Sequence, residues 1–314
     1  MSTKKRISFV IPVFNEHDNI NWHYQQLVKH FKKSSYIYEI IYIDDGSTDN
    51  SLELIQALAQ ADPQVKYVSF SRNFGKEAAT SAGMRQATGD AVVMIDADGQ
   101  HPIETVDKFI AEWQEGAEVV IGVRSSNTKE GSVKKYGSKV FYWLLEFIIE
   151  GDVVSGSTDF RLLDRVVVDE FNKLTEHNRI TRGLIDWLGY KRAYVEFSAP
   201  ARHSGKATYS FKKLLKLALH AFVSQTTKPL QFAGLLGFVV MFLSAAVSIF
   251  VIVEKYLLGD FLKLAITGTA ILGLFISFLI GLVLICQWLL ALYVESIHSE
   301  TQNRPLYIVR DKKL

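Results

Sequence analysis

The chain has 314 residues, with 35 Lys and Arg against 33 Asp and Glu and a formal net charge of +2. That length leaves room for one large domain plus a further element, and the near-neutral balance excludes the basic footprint of a nucleic-acid binder. The single cysteine, Cys286, lies inside an apolar run. A disulfide framework is therefore excluded, and the thiol is expected to be inert.

The first residues, Met1 to Arg6, are polar, so no cleavable signal peptide is expected. Ile7 to Pro12 reads as a first strand, and a helix capped by Asn15 or Asp18 follows to about Phe31. Tyr38 to Ile43 is a second strand, closed by Asp44-Asp45-Gly46-Ser47. Thr48 or Asp49 can cap the next helix, to about Ala61. Val65 to Phe70 is a third strand, and a helix from about Glu77 to Ala87 follows Arg72-Asn73-Phe74-Gly75-Lys76-Glu77. Val92 to Ile95 reads as a buried fourth strand, Glu104 to Trp113 as a helix and Val119 to Val123 as a fifth strand. Alternating strands and helices predict an α/β fold, a doubly wound and mostly parallel sheet. Right-handed crossovers then gather the carboxyl ends of the strands on one edge, with Glu16, Asp45, Arg72 and Asp98 just beyond them. No Gly-x-Gly-x-x-Gly follows the first strand, which argues against a dinucleotide cofactor.

Asp96 and Asp98 stand one residue apart after the fourth strand, ahead of Gly99. They share one face if the extended geometry continues, at the edge where open α/β sheets bind ligands. Paired acids there suit a hard divalent cation; a solvated Asp-Gly turn is the alternative. His101 is expected to be structural.

Beyond Arg124 the pattern loosens. Thr128 to Ser138 is polar and basic, Phe141 to Ile149 apolar, and a helix is expected over Arg165 to Leu174. Phe211 to Phe222 sets Leu214, Leu215, Ala218 and Phe222 at helical spacing between lysines, as in an amphipathic interfacial helix. Leu230–Val253 (24 residues) and Leu264–Val294 (31 residues) carry no charge. A bilayer core takes roughly 20 residues, so a two-helix transmembrane hairpin is expected. Its linker, Glu254 to Lys263, is short. Lys212, Lys213, Lys216 and Lys228 precede the first span, and Arg304, Arg310, Lys312 and Lys313 follow the second, which places both termini in the cytoplasm under the positive-inside rule. The expected division is a cytoplasmic domain over 1–210, a juxtamembrane helix over 211–229, the hairpin over 230–294 and a tail over 295–314.

Pro12-Val13-Phe14-Asn15-Glu16, Asp44-Asp45-Gly46-Ser47, Arg72-Asn73-Phe74-Gly75-Lys76-Glu77 and Asp96-Ala97-Asp98-Gly99-Gln100-His101-Pro102 resemble the motifs of inverting family 2 glycosyltransferases of GT-A fold. With Asp159-Phe160-Arg161-Leu162 and the apolar C-terminal third, the chain is similar to polyprenyl-phosphate glycosyltransferases, which include bactoprenol glucosyltransferases and dolichol-phosphate mannose synthases. The Gln-x-x-Arg-Trp motif of processive synthases is absent.

The resemblance implies a nucleotide-sugar donor, UDP-glucose or UDP-N-acetylglucosamine, and a polyprenyl phosphate acceptor in an inner membrane. It implies that Pro12, Phe14, Glu16, Asp45, Asp96 and Arg124 bind the donor, Asp45 accepting from a base N–H and Glu16 from ribose hydroxyls. Asp98, with Gln100 and Asp96, would hold Mg²⁺ or Mn²⁺. Asp159 and Asp98 are the implied catalytic pair. Asp159 would orient or deprotonate the attacking phosphate, or else pair with Arg161 or Arg182 and hold the site's shape. Lys134, Lys135 and Ser138 would meet the acceptor phosphate, under a lid carrying Arg202 and Lys206. A separate flippase would move the product, and a homo-oligomer is compatible with the sequence. The competing readings are a non-catalytic nucleotide-sugar-binding membrane scaffold and the same fold with a glycan acceptor.

Overall fold

The computed structural model of the chain describes residues 4–32, 34–125, 156–177, 179–200, 253 and 268–314. Their first half alternates as the apolar periodicity predicts: β1 (Arg6–Val13), α1 (His17–Phe31), β2 (Ile37–Asp44), α2 (Ser51–Ala61), β3 (Val65–Phe70), α3 (Lys76–Gln86), β4 (Ala91–Met94), α4 (Thr105–Gln114) and β5 (Val119–Arg124). Then come β6 (Ser157–Asp164), α5 (Arg165–Lys173), α6 (Thr181–Trp187), β7 (Arg192–Phe197), α7 (Gly268–Thr301) and β8 (Val309–Lys313).

The eight strands form one sheet in the order β7-β5-β6-β4-β1-β2-β3-β8. β1 pairs in parallel with β2 and β4, β2 with β3, and β5 with β7. β6 runs antiparallel between β4 and β5, and β8 antiparallel on β3. The sheet is therefore mixed. Both faces are covered because the strand residues alternate. Ile7, Phe9 and Ile11 pack with Ile20 and Leu27 of α1, Ile55 of α2 and Phe109 of α4. Val10, Ile41 and Val92 pack on the opposite side with Ala79 of α3, Phe171 of α5 and Ile185 of α6.

Three strands escape the sequence pattern. β6 carries Arg161 in its buried register, 1 % exposed. Its guanidinium is satisfied by Asp186 at 2.9 Å and the Thr158 carbonyl at 3.2 Å. β7 alternates only weakly. β8 reads Val-Arg-Asp-Lys-Lys and is exposed throughout, a charged edge strand of the kind that blunts further pairing. The expected caps of α1 and α2 also differ. Asn15, at φ +56°, accepts the Thr48 N–H with its side-chain Oδ1 at 2.8 Å, and Asp49 accepts from the Ser51 N–H at 3.0 Å.

The chain divides into two compact units, one over Met1–Phe147, Gly151–Tyr209 and Asn303–Leu314, the other over Ile148–Glu150 and Ser210–Gln302. Residues 303–314, expected as a separate tail, thus belong with the sheet. In the second unit α7 is a continuous helix of 34 residues, about 51 Å long at 1.5 Å per residue. The first uncharged stretch, 230–253, and the expected amphipathic helix over 211–222 lie outside the described residues. Among the described residues no membrane span is established.

His23 holds a core position of α1, in line with Ile20 and Leu27, and is 1 % exposed. Among the described residues neither ring nitrogen has a hydrogen-bond partner. Burial, reinforced by His101 and partly offset by Asp96, lowers its pKa from 6.5 to about 4. Between those values the unfolded chain binds a proton that the folded chain refuses, so stability falls as pH drops through that window. The loss approaches about 3 kcal/mol at 1.36 kcal/mol per unit. Chemical denaturation of wild type and His23→Leu from pH 7 to pH 4 should show this excess acid sensitivity in the wild type alone.

Candidate active site

The loops after β1 and β2 are knitted together. The Asp45 N–H donates to the Val13 carbonyl at 2.8 Å, the Asn15 N–H to Ser47 Oγ at 3.0 Å and the Glu16 N–H to Ser51 Oγ at 3.0 Å. Asp44 accepts from the Ser47 N–H at 3.0 Å and from Ser69 Oγ at 2.8 Å, tying in the end of β3. Gly46 is required where the Asp45 loop passes the next one. Its φ is +67°, and a Cβ there would stand 2.4 Å from the Arg72 backbone carbon.

Asp45 does not present an open carboxylate to solvent. It is 3 % exposed and accepts from the Phe74 N–H at 2.7 Å and the Gly75 N–H at 2.9 and 3.2 Å. Burial raises its pKa, and the two amide bonds oppose that rise. Its observed task is to fix the turn that leads into α3, with Gly75 at φ +102°. Glu16 accepts from Asn19 Nδ2 at 2.5 Å. Phe14 is exposed, as is Arg124 at the end of β5. Arg72 lies over the Phe74 ring, 4.0 Å from its centroid.

That turn delivers Lys76, the first residue of α3, into a crevice lined also by Pro12, Thr80, Asp96, Asp159 and Thr181. The ammonium lies 2.7 and 2.8 Å from the two Asp96 oxygens and 3.2 Å from Asp159 Oδ2. Burial opposes its charge, but Asp96 and Asp159 outweigh that and hold its pKa above the ordinary lysine value. The register explains the meeting. β6 is antiparallel, so Asp159, near its start, reaches the edge where the parallel strands end. Met94 pairs with Arg161, which sets Asp96 and Asp159 opposite each other two residues further out. Asp159 thus pairs with Lys76, and Arg161 pairs instead with Asp186.

The Asp96–Gln100 loop is braced from behind. The Asp96 N–H donates to His101 Nδ1 at 3.1 Å, and the His101 ring stacks on Phe160 at 4.7 Å and 7°. Burial lowers the His101 pKa, so the ring keeps the neutral form that can accept this bond. Asp98 is 6 % exposed and accepts from the Gln100 N–H at 3.0 Å. Among the described residues no group of three or more His, Cys, Asp or Glu forms a metal cage. The donors that are present, the Asp98 carboxylate and the Gln100 amide oxygen, are hard oxygen groups. They fit a cation that takes one or two carboxylates and completes its shell with water and substrate phosphate. Asp96, expected as a third ligand, has both oxygens on Lys76.

The edge thus gathers Pro12, Lys76, Asp96 and Asp159 in one crevice. Lys134, Lys135, Ser138, Arg202 and Lys206 lie outside the described residues. Lys76 was missed as a site residue because a lysine opening a helix after a loop is ordinary; its place between two strand-end motifs is the only signal the sequence carries. Asp45 sets a test of the loop. Asp45→Ala leaves two part-buried amides without their partner, which costs about 1–3 kcal/mol. Denaturation should show that loss, and hydrogen exchange should quicken at Phe74 and Gly75.

Residues 8–171 match the family described as Glycosyl transferase family 2. The chain is 37% identical over 310 residues, covering 99% of itself and 95% of the relative, to an uncharacterized glycosyltransferase of Bacillus subtilis. It is 36% identical over 308 residues to a prophage bactoprenol glucosyl transferase homolog of Escherichia coli, covering 98% and 99% of the two chains. It is 35% identical over 308 residues to the bactoprenol glucosyl transferase of Shigella phage SfX, covering 98% and 100%. Among solved structures, mannosyl-3-phosphoglycerate synthase from Rubrobacter xylanophilus superposes with a TM-score of 0.51 at 17% identity, covering 69% and 71% of the chains, a likeness of fold. With the mixed GT-A-like sheet and the acidic crevice at its edge, these similarities make the chain a glycosyltransferase that belongs to family 2.

Proposed function

We propose that this glycosyltransferase moves one sugar from a nucleotide-sugar, UDP-glucose or UDP-N-acetylglucosamine, to polyprenyl phosphate at a membrane surface, with inversion. The observation that carries the proposal is the meeting of Asp96 and Asp159 on Lys76, which joins the strand-end acids to the acid of the distant Asp-Phe-Arg segment. Full-length similarity to bactoprenol glucosyl transferases supports the lipid acceptor.

Pro12, Phe14, Glu16 and the loop fixed by Asp45 would form the donor's base and ribose pocket, with Arg124 reaching its diphosphate. Asp98 and Gln100 would hold Mg²⁺ or Mn²⁺, with Asp96 adjoining. When bound, the cation supplies charge neutralisation for the departing diphosphate. Asp159 faces the attacking side. A phosphate monoester has its second pKa near 6, so the nucleophile is largely ionised at neutral pH and alignment matters more than proton removal. Alignment alone supplies roughly 7–11 kcal/mol. Attack opposite the leaving group inverts the anomeric centre. A flippase would then carry the lipid-linked sugar across.

The sheet bears on topology. β1 opens the chain and β8 closes it within one sheet, so both ends share one side of any membrane. A chain that enters a bilayer between them crosses it an even number of times. Two spans over the uncharged stretches 230–253 and 264–294 would satisfy that requirement, and the flanking lysines and arginines support a cytoplasmic sheet.

Two experiments test these points. With purified chain, donor, Mg²⁺ and undecaprenyl phosphate, wild type should form lipid-linked sugar. Asp98→Asn should lose at least about a hundredfold in rate, the scale of a 2.7 kcal/mol loss of transition-state stabilisation. In membrane vesicles, a C-terminal tag should be cut by added protease only in inside-out vesicles; cleavage in right-side-out vesicles would reverse the orientation.

A further inference from the structure

We infer that Lys76 is the residue that receives the acceptor's phosphomonoester, and that the phosphate takes over the position Asp159 holds on its ammonium. This rests on the transfer proposed above and names the group that binds the acceptor. No covalent bond is made or broken in the exchange; one oxyanion replaces another.

The geometry favours this side of the ammonium. Lysine offers three N–H donors and no acceptor, and a compact ammonium binds phosphate as a point charge. Asp96 holds Lys76 through two oxygens at 2.7 and 2.8 Å, Asp159 through one at 3.2 Å. Asp159 is also the more exposed, 42 % against 30 % for Asp96. The single, longer and wetter contact is the one an entering dianion exchanges. The Lys76 side chain is 39 % exposed, so the ammonium is within reach from solvent.

Charge points the same way. A phosphate dianion entering between Asp96 and Asp159 meets two carboxylates of its own sign, and a third acid, Glu77, lines the same crevice. Among the described residues Lys76 is the only cation that lines the crevice. It also opens α3, an 11-residue helix, whose positive end backs the same spot. The Thr80 hydroxyl donates to the Lys76 carbonyl and the Thr181 hydroxyl to Glu77, so neither competes with Lys76 for the phosphate. Asp98, which would hold the cation that neutralises the donor's diphosphate, does not line this crevice, so donor and acceptor phosphates would meet separate positive charges.

The test uses the full chain in detergent with the donor that supports transfer, undecaprenyl phosphate as acceptor and inorganic phosphate as competitor. Lys76→Met should raise the acceptor KM at least about tenfold, equivalent to 1.4 kcal/mol. Donor affinity, read by calorimetry, should change by less than about twofold, well below that tenfold step. Lys76→Arg, which keeps the charge, should recover most of the loss. Asp159→Asn should lower the acceptor KM while kcat falls, because the competing carboxylate is gone. Inorganic phosphate should compete with the lipid on wild type and lose that effect on Lys76→Met; competition of equal strength on both would place the phosphate elsewhere. An unchanged acceptor KM in Lys76→Met, or equal losses of donor and acceptor affinity, would overturn the inference. If Lys76→Met does not fold, Asp159→Asn decides, and an unchanged or raised acceptor KM would overturn it. Wild type that transfers sugar to no phosphomonoester would overturn the functional proposal itself; normal wild-type transfer with either failure above sinks only the role of Lys76.

Discussion

Two carboxylates that touch one ammonium cannot stand further apart than about 6 Å, and at that separation their repulsion is about 3 kcal/mol in the dielectric of a protein surface. Lys76 removes that penalty by meeting Asp96 and Asp159 at once. The rest of the edge arranges itself around this contact. Asp45 takes the Phe74 and Gly75 amides so that α3 begins where Lys76 reaches the crevice. His101 takes the Asp96 amide and leans on Phe160, the neighbour of Asp159. A cation between two acids is also what lets a third anion enter, since the ammonium can change partners without leaving the site.

The mixed sheet is the means by which the acids meet. In an all-parallel sheet a residue near the start of a strand would lie at the amino-end edge, away from ligands. Because β6 runs against β4 and β5, the start of β6 joins the ends of its neighbours. β8 closes the opposite edge on β3, with Asp311 accepting from the Tyr67 hydroxyl at 2.6 Å and Tyr307 stacked on Phe70 at 4.8 Å. The Ser71 N–H donates to the Ile308 carbonyl at 2.9 Å, so the segment after α7 supports the loop that leads to Lys76. The chain beyond its apolar third is thus a part of the same sheet.

The burial of Asp45 alters how its motif reads. The Asp-Asp-Gly-Ser segment invites a ligand role for each acid. Here Asp44 ties β2 to β3 and Asp45 orders the next loop. Gly46 lets two backbones pass within contact distance. The motif orders the neighbouring loops through backbone placement, and Phe14 and Arg72 stand exposed beside it.

Local periodicity was enough to show the first five strands, the helices between them and the gathering of Asp45, Asp96 and Asp98 beyond strand ends. Apolar residues at every second or every third and fourth position carry that information within a few residues. Motif order and the uncharged C-terminal stretches were legible for the same reason. Tertiary structure alone decided the rest. β6 conceals itself because Arg161 in its core register is neutralised by Asp186, 25 residues on. β8 conceals itself because a charged edge strand shows no apolar alternation. Asp45's anchoring of residues 74–75 and Lys76's place between Asp96 and Asp159 depend on register between segments 20 to 83 residues apart. A sequence states which groups are charged, but which charge meets which is set by strand order and direction, and those are properties of the folded sheet.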